Sequence, residues 1–402
     1  MNVYRKLGLE PIINACGSVT RLGGAPMPQP VLDAFRQAAD EWVSLEELQA
    51  AASRKIAKAT GTDAGLVTAG SAAGLTLGTA AILAGHDLGR IESLPHCDGF
   101  ADEFIIAREQ RSGYDHAVRA AGARLVEVGF NEIVAGAGVR RTEVWEYEAA
   151  ITQNTAGFVY VLAPDSQPAL EELVALAHKH KLPILVDAAG EVPPRSNLTA
   201  IAATGADLIS FSGGKGIRGP QSTGILCGRR DLVSSAALQM LDMDDHFELW
   251  DPPDDIIDRS QLNGIPRHGI GRALKVSKEE IAALLTALDL FIADGYAAEM
   301  TRCRECLESI VGKLHDTRSA CQIINPPHDD SWPQLEIVVD EAALGKTAVE
   351  ICRNLRHGSP PVYVGHGRLS EGCLIINPVC LDERTSQALA GRLIDELTLP
   401  GC

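Results

Sequence analysis

The segment LISFSGGKGIRGPQSTGILCG, from Leu208 to Gly228, places one lysine, Lys215, among glycines directly after an apolar run. The apolar run is typical of a buried strand, so the lysine follows the end of that strand. Three known kinds of site combine glycines with a ligand-binding turn of this sort: the nucleotide phosphate loop, the dinucleotide-binding turn and the Schiff-base lysine site. The remainder of the sequence distinguishes between them.

The first two kinds of site do not fit the segment. A phosphate loop has the pattern G-x-x-x-x-G-K-[ST], but Gly216 follows the lysine and Ile209 stands where the first glycine belongs. Gly214, Gly216 and Gly219 do form G-x-G-x-x-G. That motif must open a helix, however, and here Pro220 and the strand-like STGILCG follow. We therefore reject both interpretations.

The third kind of site needs an amine, a carboxylate and a phosphate cradle, because pyridoxal phosphate is held at its aldehyde, its pyridine nitrogen and its phosphate. Lys215 supplies the amine, and Asp187 ends a buried strand one strand–helix–strand unit earlier. Taken singly, Asp187 could be a helix cap and Gly70-Ser71 an ordinary helix start. The combination favours a pyridoxal phosphate site, with Lys215 and Asp187 as its catalytic residues. The residues predicted to hold the phosphate at a helix N-terminus, or to add hydroxyl donors, are Gly70, Ser71, Ala72, Ser210 and Ser212.

The hydrophobic pattern predicts an α/β fold. Apolar strands alternate with helical segments from residue 157 to residue 212, which is typical of a mostly parallel sheet with helices on both faces. Ser277 and Glu280 form a capping box before a long amphipathic helix, and the strand-like QLEIVVD and GCLIINPV follow later. We predict an N-terminal segment near the active site (1–50), a large cofactor-binding domain (51–270) and a smaller α+β domain (271–402).

Composition and charge narrow the class of protein. The 36 basic and 53 acidic residues give a net charge of −17, which argues against nucleic acid as a partner. No apolar run is long enough for a membrane span, and the N-terminal sequence does not resemble a secretory signal. The ten scattered cysteines then predict a cytoplasmic protein without a disulfide framework. Cys303 and Cys306 form a single CxxC within a predicted helix, and we expect no metal site there.

Several motifs together resemble a known family. INACGSVTRLGG, GSAAGL, AAGARLVEVG, ILVDAAGEVPP, SFSGGKGIRGPQSTG and GIGRALKVSKEEIAALLTAL are similar to fold-type I pyridoxal phosphate enzymes. The similarity is to the group that contains selenocysteine synthase (L-seryl-tRNA selenium transferase) and D-glucosaminate-6-phosphate ammonia-lyase. It implies an aspartate aminotransferase-like fold, a Schiff base on Lys215, and a homodimer or larger homo-oligomer with active sites at the subunit interface. In EFIIAREQRSGYD, Gln110 or Arg111 stands where family members often place a residue that stacks on the cofactor, and we choose Gln110.

The resemblance also implies a reaction. The family shares an α,β-elimination, which predicts a lyase that converts a small β-hydroxy amino acid or amino sugar acid to a 2-keto acid and ammonia. A selenium-transferase-like transferase, an aldolase, a racemase and a non-catalytic cofactor-binding protein stay open as alternatives. An amino-acid substrate needs a cation for its carboxylate, and Arg368 is our choice. The lesser candidates for substrate contacts are Asn14, Thr20, Arg267, Arg272 and His366.

Overall fold

The computed structural model describes residues 2–130, 141–244, 246–325, 328 and 330–399. Strands and α-helices are numbered in chain order. The strands are β1 Ile13–Ala15, β2 Ala64–Thr68, β3 Glu103–Ala107, β4 Arg124–Val128, β5 Thr155–Val161, β6 Ile184–Asp187, β7 Leu208–Ser212, β8 Gly224–Gly228, β9 Ser319–Ile324, β10 Gln334–Val339, β11 Val362–Val364 and β12 Cys373–Ile376. The helices are α1 Val3–Lys6, α2 Gln29–Ala39, α3 Leu45–Thr60, α4 Gly70–Ala84, α5 Leu88–Ser93, α6 Asp115–Ala120, α7 Val144–Ala150, α8 Leu170–Lys179, α9 Asn197–Ala203, α10 Arg230–Met240, α11 Lys278–Ile292, α12 Ala297–Lys313, α13 Glu341–Leu344, α14 Ala348–His357 and α15 Glu383–Leu397.

The chain forms two compact units. The central unit comprises Met27–Asp289, and the terminal unit combines Met1–Pro26 with Leu290–Cys402. The first 26 residues therefore cluster with the C-terminal part of the chain, and the range 51–270 lies wholly within the central unit.

A seven-stranded sheet organises the central unit. Its strand order is β2-β8-β7-β6-β5-β3-β4, and only β8 runs antiparallel to its neighbours among the described strands. Every residue of β2, β6 and β8 is buried, and because successive side chains point to opposite faces, both faces of the sheet are covered. The predicted mostly parallel sheet is confirmed.

Helix α4 packs closely against the middle of this sheet. Its Ala- and Gly-rich sequence is buried around almost its whole circumference from Ala73 to Ala84. A Cβ on Gly78 would lie 3.0 Å from Leu185 Cδ1 of β6, so the small residue sets how near the helix can come. The close packing fixes the position of the α4 N-terminus relative to the strand ends.

The predicted start of α11 is also confirmed. The Ser277 N–H donates to Glu280 Oε2 at 3.1 Å, and the Glu280 N–H donates to Ser277 Oγ at 3.2 Å. These two reciprocal bonds form the capping box.

The terminal unit has its own sheets and its own core. β9, β10 and β12 form an antiparallel sheet in the order β12-β10-β9, and β1 pairs in parallel with β11. Leu307 of α12, Leu355 of α14 and Leu389 of α15 are fully buried in one hydrophobic cluster with strand residues. The described part of the terminal unit therefore combines helices and strands around a core of its own.

Within the described part of the chain, no single helix is both long enough and apolar enough to cross a membrane. Among the described helices, α11 and α12 pass that test when these two consecutive helices, bent by 77° at the break between them, are counted together.

Candidate active site

Asp187 lies at the carboxyl end of β6, in the middle of the central sheet. In the register of the sheet it stands beside Val161 of β5 and Ser210 of β7. The residue is 8% exposed, and its Oδ1 accepts a hydrogen bond from the Ala189 N–H at 3.1 Å. Ligands of parallel sheets bind beyond the carboxyl ends of the strands, so Asp187 occupies a position that a ligand can reach.

The N-terminus of α4 reaches the same region of the sheet. Within the described residues no side chain caps this helix and no acidic residue occupies its first turn, so its leading N–H groups present the positive end of the helix dipole. The Ser210 hydroxyl donates to the Ser71 carbonyl oxygen at 3.0 Å, and the two hydroxyl oxygens are 2.9 Å apart. Since Ser210 is fully buried, it holds the first turn of α4 rather than facing a ligand. Gly70, Ser71 and Ala72 are partly or fully accessible.

Lys215 lies in the tight connection between β7 and β8, which packs directly on the loop that follows β6. A Cβ on Gly216 would lie 2.4 Å from the Val192 carbonyl oxygen, closer than real contacts allow. A side chain would collide in the same way at the neighbouring positions Gly213, Gly214 and Gly219. Gly216 therefore lets this turn lie against the loop after β6, near Asp187, while the other three glycines let it fold on itself and pack on α11. Ser212, the last residue of β7, is partly exposed.

The electrostatics of Lys215 and Asp187 are coupled. Burial raises the pKa of Asp187 above its ordinary value, while the Ala189 hydrogen bond and the charge of Lys215 oppose that rise. In the described ranges, no carboxylate forms an ion pair with the Lys215 ammonium and no hydrogen bond fixes it. A buried acid therefore lies close to an amine that has no competing ion-pair partner among the described residues.

Gln110 presents an unused donor at this edge. It ends a short 3₁₀ helix, Arg108–Gln110, after β3, and its Oε1 accepts a hydrogen bond from the Val161 N–H at 3.0 Å. Its Nε2 is buried and has no hydrogen-bond partner among the described residues. The alternative candidate, Arg111, instead forms ion pairs with Asp115 and Glu127. These contacts support the choice of Gln110 over Arg111 as the cofactor contact, which stays a prediction.

Arg267 and Arg272 lie in a different part of the central unit. Arg267 is exposed and 3.6 Å from Glu92, and Arg272 forms an ion pair with Asp242. Arg272 lines a cavity of about 710 Å³ whose lining includes neither Lys215 nor Asp187. Within the described residues, neither arginine forms an ion pair or hydrogen bond with Asp187 or with the first turn of α4.

The four remaining candidates lie in the terminal unit: Asn14 is the middle residue of β1, and the other three lie in segments that follow β1 or β11. Asn14 is bonded to its own turn: its Oδ1 accepts from the Cys16 N–H and its Nδ2 donates to the Gly17 carbonyl. His366 and Arg368 follow β11, and Thr20 begins the 3₁₀ helix Thr20–Leu22.

Arg368 already has two carboxylate partners, Glu336 and Glu371, whose hydrogen bonds raise its pKa. Sequence reasoning missed Arg21, which is exposed and whose Nη2 lies 3.5 Å from His366 Nε2. Arg21 forms no ion pair within the described ranges. An unpaired arginine beside a candidate histidine could not be recognised from TRLGG alone, because the contact joins residues 345 apart.

The set in the central unit fits pyridoxal phosphate. An uncapped helix N-terminus suits its phosphate, the unpaired amine of Lys215 suits its aldehyde, and the buried carboxyl of Asp187 suits its pyridine nitrogen. The orphaned Nε2 of Gln110 adds a donor that a ligand would satisfy.

Comparison with known proteins agrees with this chemistry. The family model for L-seryl-tRNA selenium transferase matches residues 114–243. The chain is 30% identical to 5'-C-glycyluridine monooxygenase-decarboxylase of a Streptomyces species, over 98% of this chain and 92% of that protein. It is 26% identical to D-glucosaminate-6-phosphate ammonia lyase of Salmonella typhimurium, over 98% of this chain and 97% of that protein.

The fold agrees as well. The solved structure of D-glucosaminate-6-phosphate ammonia-lyase superposes with a TM-score of 0.79 at 25% identity, covering 99% of this chain and 98% of that chain. The predicted fold-type I architecture is confirmed.

Proposed function

Because the chain belongs to the pyridoxal phosphate-dependent enzyme family that includes L-seryl-tRNA selenium transferase and D-glucosaminate-6-phosphate ammonia-lyase, we propose that it is an α,β-eliminating lyase. Its proposed substrate is a small β-hydroxy amino acid or amino sugar acid, and its products are a 2-keto acid and ammonia. The observation that carries the proposal is the unpaired Lys215 beside the buried Asp187 at the carboxyl edge of the sheet.

In the proposed mechanism each residue has one task. Bound pyridoxal phosphate supplies an electron sink that makes the Cα–H of an amino acid acidic. Lys215 would hold the aldehyde of the cofactor and would take the Cα proton of the substrate on its Nζ. Asp187 would hold the pyridine nitrogen in its protonated form, and the N-terminus of α4 would bind the phosphate. Loss of the β-hydroxyl and hydrolysis of the released enamine complete the reaction.

The substrate carboxylate needs a cation, and Arg368 stays our proposed ligand. A substrate carboxylate would replace Glu336 or Glu371 as its partner. Arg21 is the alternative, because among the described residues it forms no ion pair that a substrate carboxylate would have to displace. A guanidinium binds a carboxylate with two parallel hydrogen bonds, so either arginine suits this task.

We also propose a homodimer or larger homo-oligomer and no nucleic-acid partner. The net charge of −17 opposes binding of a phosphate backbone. Arg272 forms an ion pair with Asp242, and we propose that it serves the active site of a second copy.

The proposal is tested by incubating the purified protein, loaded with pyridoxal phosphate, with a panel of L- and D-β-hydroxy amino acids and amino sugar acids. We expect ammonia and a 2-keto acid in equal amounts from at least one member. The lyase proposal is wrong if the enzyme acts only on donors without a β-leaving group and transfers their nitrogen to a keto acid.

A second candidate is oxidative decarboxylation, because a relative that is 30% identical over nearly the whole chain is a monooxygenase-decarboxylase. The same panel distinguishes the two reactions. Oxygen uptake with release of carbon dioxide would indicate the oxidative reaction, whereas ammonia release that is unchanged under argon indicates elimination.

A further inference from the structure

Glu191 lies in the loop that follows β6, four residues after Asp187. Its N–H donates to the Ala188 carbonyl at 3.1 Å, and Asn197 Nδ2 donates to the Glu191 carbonyl at 2.6 Å. The backbone of Glu191 is thus held on both sides, which limits where its side chain can go.

The loop that carries Glu191 contacts the turn that carries Lys215. The two segments approach closely at Gly216, where an added Cβ would lie 2.4 Å from the Val192 carbonyl oxygen and 2.5 Å from Pro193 Cδ. Val192 and Gly216 directly follow Glu191 and Lys215 in sequence, so the two side chains leave neighbouring points of the backbone. The charges of both Lys215 and Asp187 act on the Glu191 carboxyl.

Among the residues that the structure describes, none forms a hydrogen bond or ion pair with the Glu191 carboxyl. The carboxyl is half-buried. Burial raises its pKa; the charge of Lys215 opposes this rise and that of Asp187 adds to it. Partial burial of a carboxyl without a hydrogen bond in the described residues is unfavourable, and this carboxyl is near enough to Lys215 for the two charges to interact.

We propose that Glu191 is the general acid that protonates the departing β-hydroxyl. The inference rests on the proposed elimination and adds a residue to it. Lys215 Nζ takes the Cα proton, the Cα=Cβ bond forms, and the Cβ–O bond breaks with its electron pair on oxygen. The Glu191 carboxyl proton goes to that oxygen, so water leaves and no oxidant or reductant is needed.

A separate acid is chemically reasonable because hydroxide is a poor leaving group near neutral pH. Asp187 must stay ionised to pair with the pyridine nitrogen, so it cannot supply the proton. Without a second acid, Lys215 would have to deliver to the leaving oxygen the same proton that it takes from Cα. Glu191 delivers a proton without that transfer, and water can reprotonate it after each turnover.

The test compares Glu191→Gln with the wild type on two substrates that differ only in the leaving group: the β-hydroxy amino acid identified by the panel and its β-chloro analogue. Chloride leaves without a proton. We expect Glu191→Gln to lose about 100-fold or more in kcat on the hydroxy substrate. On the chloro analogue it should stay within about threefold of wild type. Glu172→Gln, an exposed glutamate on α8, is the matched control and should behave as wild type on both substrates.

Two further measurements separate this role from a structural one. The cofactor affinity of Glu191→Gln, from titration of the apoprotein, and its thermal unfolding temperature should both match wild type. Equal losses on both substrates, loss on neither, or a weakened cofactor affinity would overturn the assignment of Glu191. A wild-type protein that eliminates neither hydroxide nor chloride would instead overturn the proposed lyase activity itself.

Discussion

Lys215 is the residue on which the cofactor assignment depends. We expect the purified protein to be yellow and borohydride to attach the cofactor irreversibly to Lys215, because this amine has no competing partner within the described ranges. Peptide mapping by mass spectrometry locates the label. Lys215→Ala should lose the label and turnover, and labelling of another lysine in the wild type would refute the assignment.

The carboxylate of Asp187 should increase turnover in the loaded enzyme and decrease the stability of the apoprotein at neutral pH. Asp187→Asn removes the carboxylate that keeps the pyridine nitrogen protonated, so we expect turnover to fall by about tenfold or more, or over ~1.4 kcal/mol of transition-state stabilisation. Steady-state kinetics of the loaded enzyme measures this. Activity within about threefold of wild type would mean that Asp187 has another role.

In the apoprotein, the ionised carboxylate of Asp187 should lower the stability of the fold. Burial raises the pKa of Asp187 in the folded state, so its contribution to stability is greatest at low pH and is lost as the pH rises through that raised pKa. We expect apo Asp187→Asn to lose less stability than apo wild type as the pH rises from below the ordinary aspartate pKa of about 4 to neutral pH. Thermal unfolding of both apoproteins across that range is the measurement, and parallel pH profiles would contradict it.

Arg21 and Arg368 can be compared by the same substitution. Replacement by Lys keeps the charge but removes the two-pronged contact, so the arginine that binds the substrate carboxylate should show a KM raised by about tenfold or more. We expect this for Arg368→Lys, with Arg21→Lys as its counterpart. A raised KM in Arg21→Lys alone would transfer the assignment to Arg21.

At the scale of elements, the site depends on how closely α4 approaches β8. A Cβ on Gly224, the first residue of β8, would lie 2.4 Å from the Gly70 carbonyl carbon and 2.6 Å from the Ser71 nitrogen. Because the obstacle is backbone, Gly224→Ala must displace the N-terminus of α4. We expect about 1–3 kcal/mol of lost stability and a clearly weaker affinity for pyridoxal phosphate.

The matched control is Gly312→Ala in α12, where a Cβ would meet nothing within 4 Å. This substitution should leave cofactor affinity unchanged and raise stability by about 0.4–1 kcal/mol. Chemical denaturation and cofactor titration of both variants give the comparison. Unchanged cofactor affinity in Gly224→Ala would contradict the assignment of the phosphate site to the N-terminus of α4.

Many of the strands, helix starts and turns could be predicted from the sequence, because each depends on residues that are close together in the chain. The apolar runs, the Ser277–Glu280 capping box and the glycines around Lys215 are short-range patterns, and each appears in the structure where it was expected. Glu191 and Arg21 were missed because their significance depends on neighbours from other segments. Nothing in the sequence AAGEVPP indicates that Val192 and Pro193, which follow Glu191, contact Gly216.

Ser210 illustrates the same limit. Its position near the cofactor site follows from the strand pattern, but the direction of its hydroxyl depends on the contact between Gly74 and β7. A Cβ on Gly74 would lie 2.5 Å from Ser210 Oγ, so only this small residue lets the hydroxyl turn to Ser71. Packing between distant segments decides such details.

At the scale of the whole molecule, the prediction concerns how copies of the chain share active sites. If Arg272 serves the site of a second copy, Lys215→Ala and Arg272→Ala are each inactive alone but complement each other when mixed. Random re-association of a dimer should then restore about a quarter of wild-type activity, since half of the dimers are mixed and each has one complete site. Refolding the two variants together and measuring turnover tests this.

Separate refolding of each variant, followed by mixing without exchange, is the control and should show no recovery. No activity after joint refolding would place Arg272 outside any shared site. Size-exclusion chromatography with light scattering shows whether mixed oligomers formed.

The pairing of β1 with β11 has a consequence for biosynthesis. Ile13 aligns with Val362, so the partner of this early strand is translated about 350 residues later. The central unit, by contrast, contains all of its sheet within Met27–Asp289 and can fold while the ribosome is still translating the rest. The first strand to leave the ribosome exit tunnel is therefore among the last to acquire its hydrogen-bonding partner, and until then its buried side chains Ile13 and Ala15 depend on chaperones or transient contacts for protection.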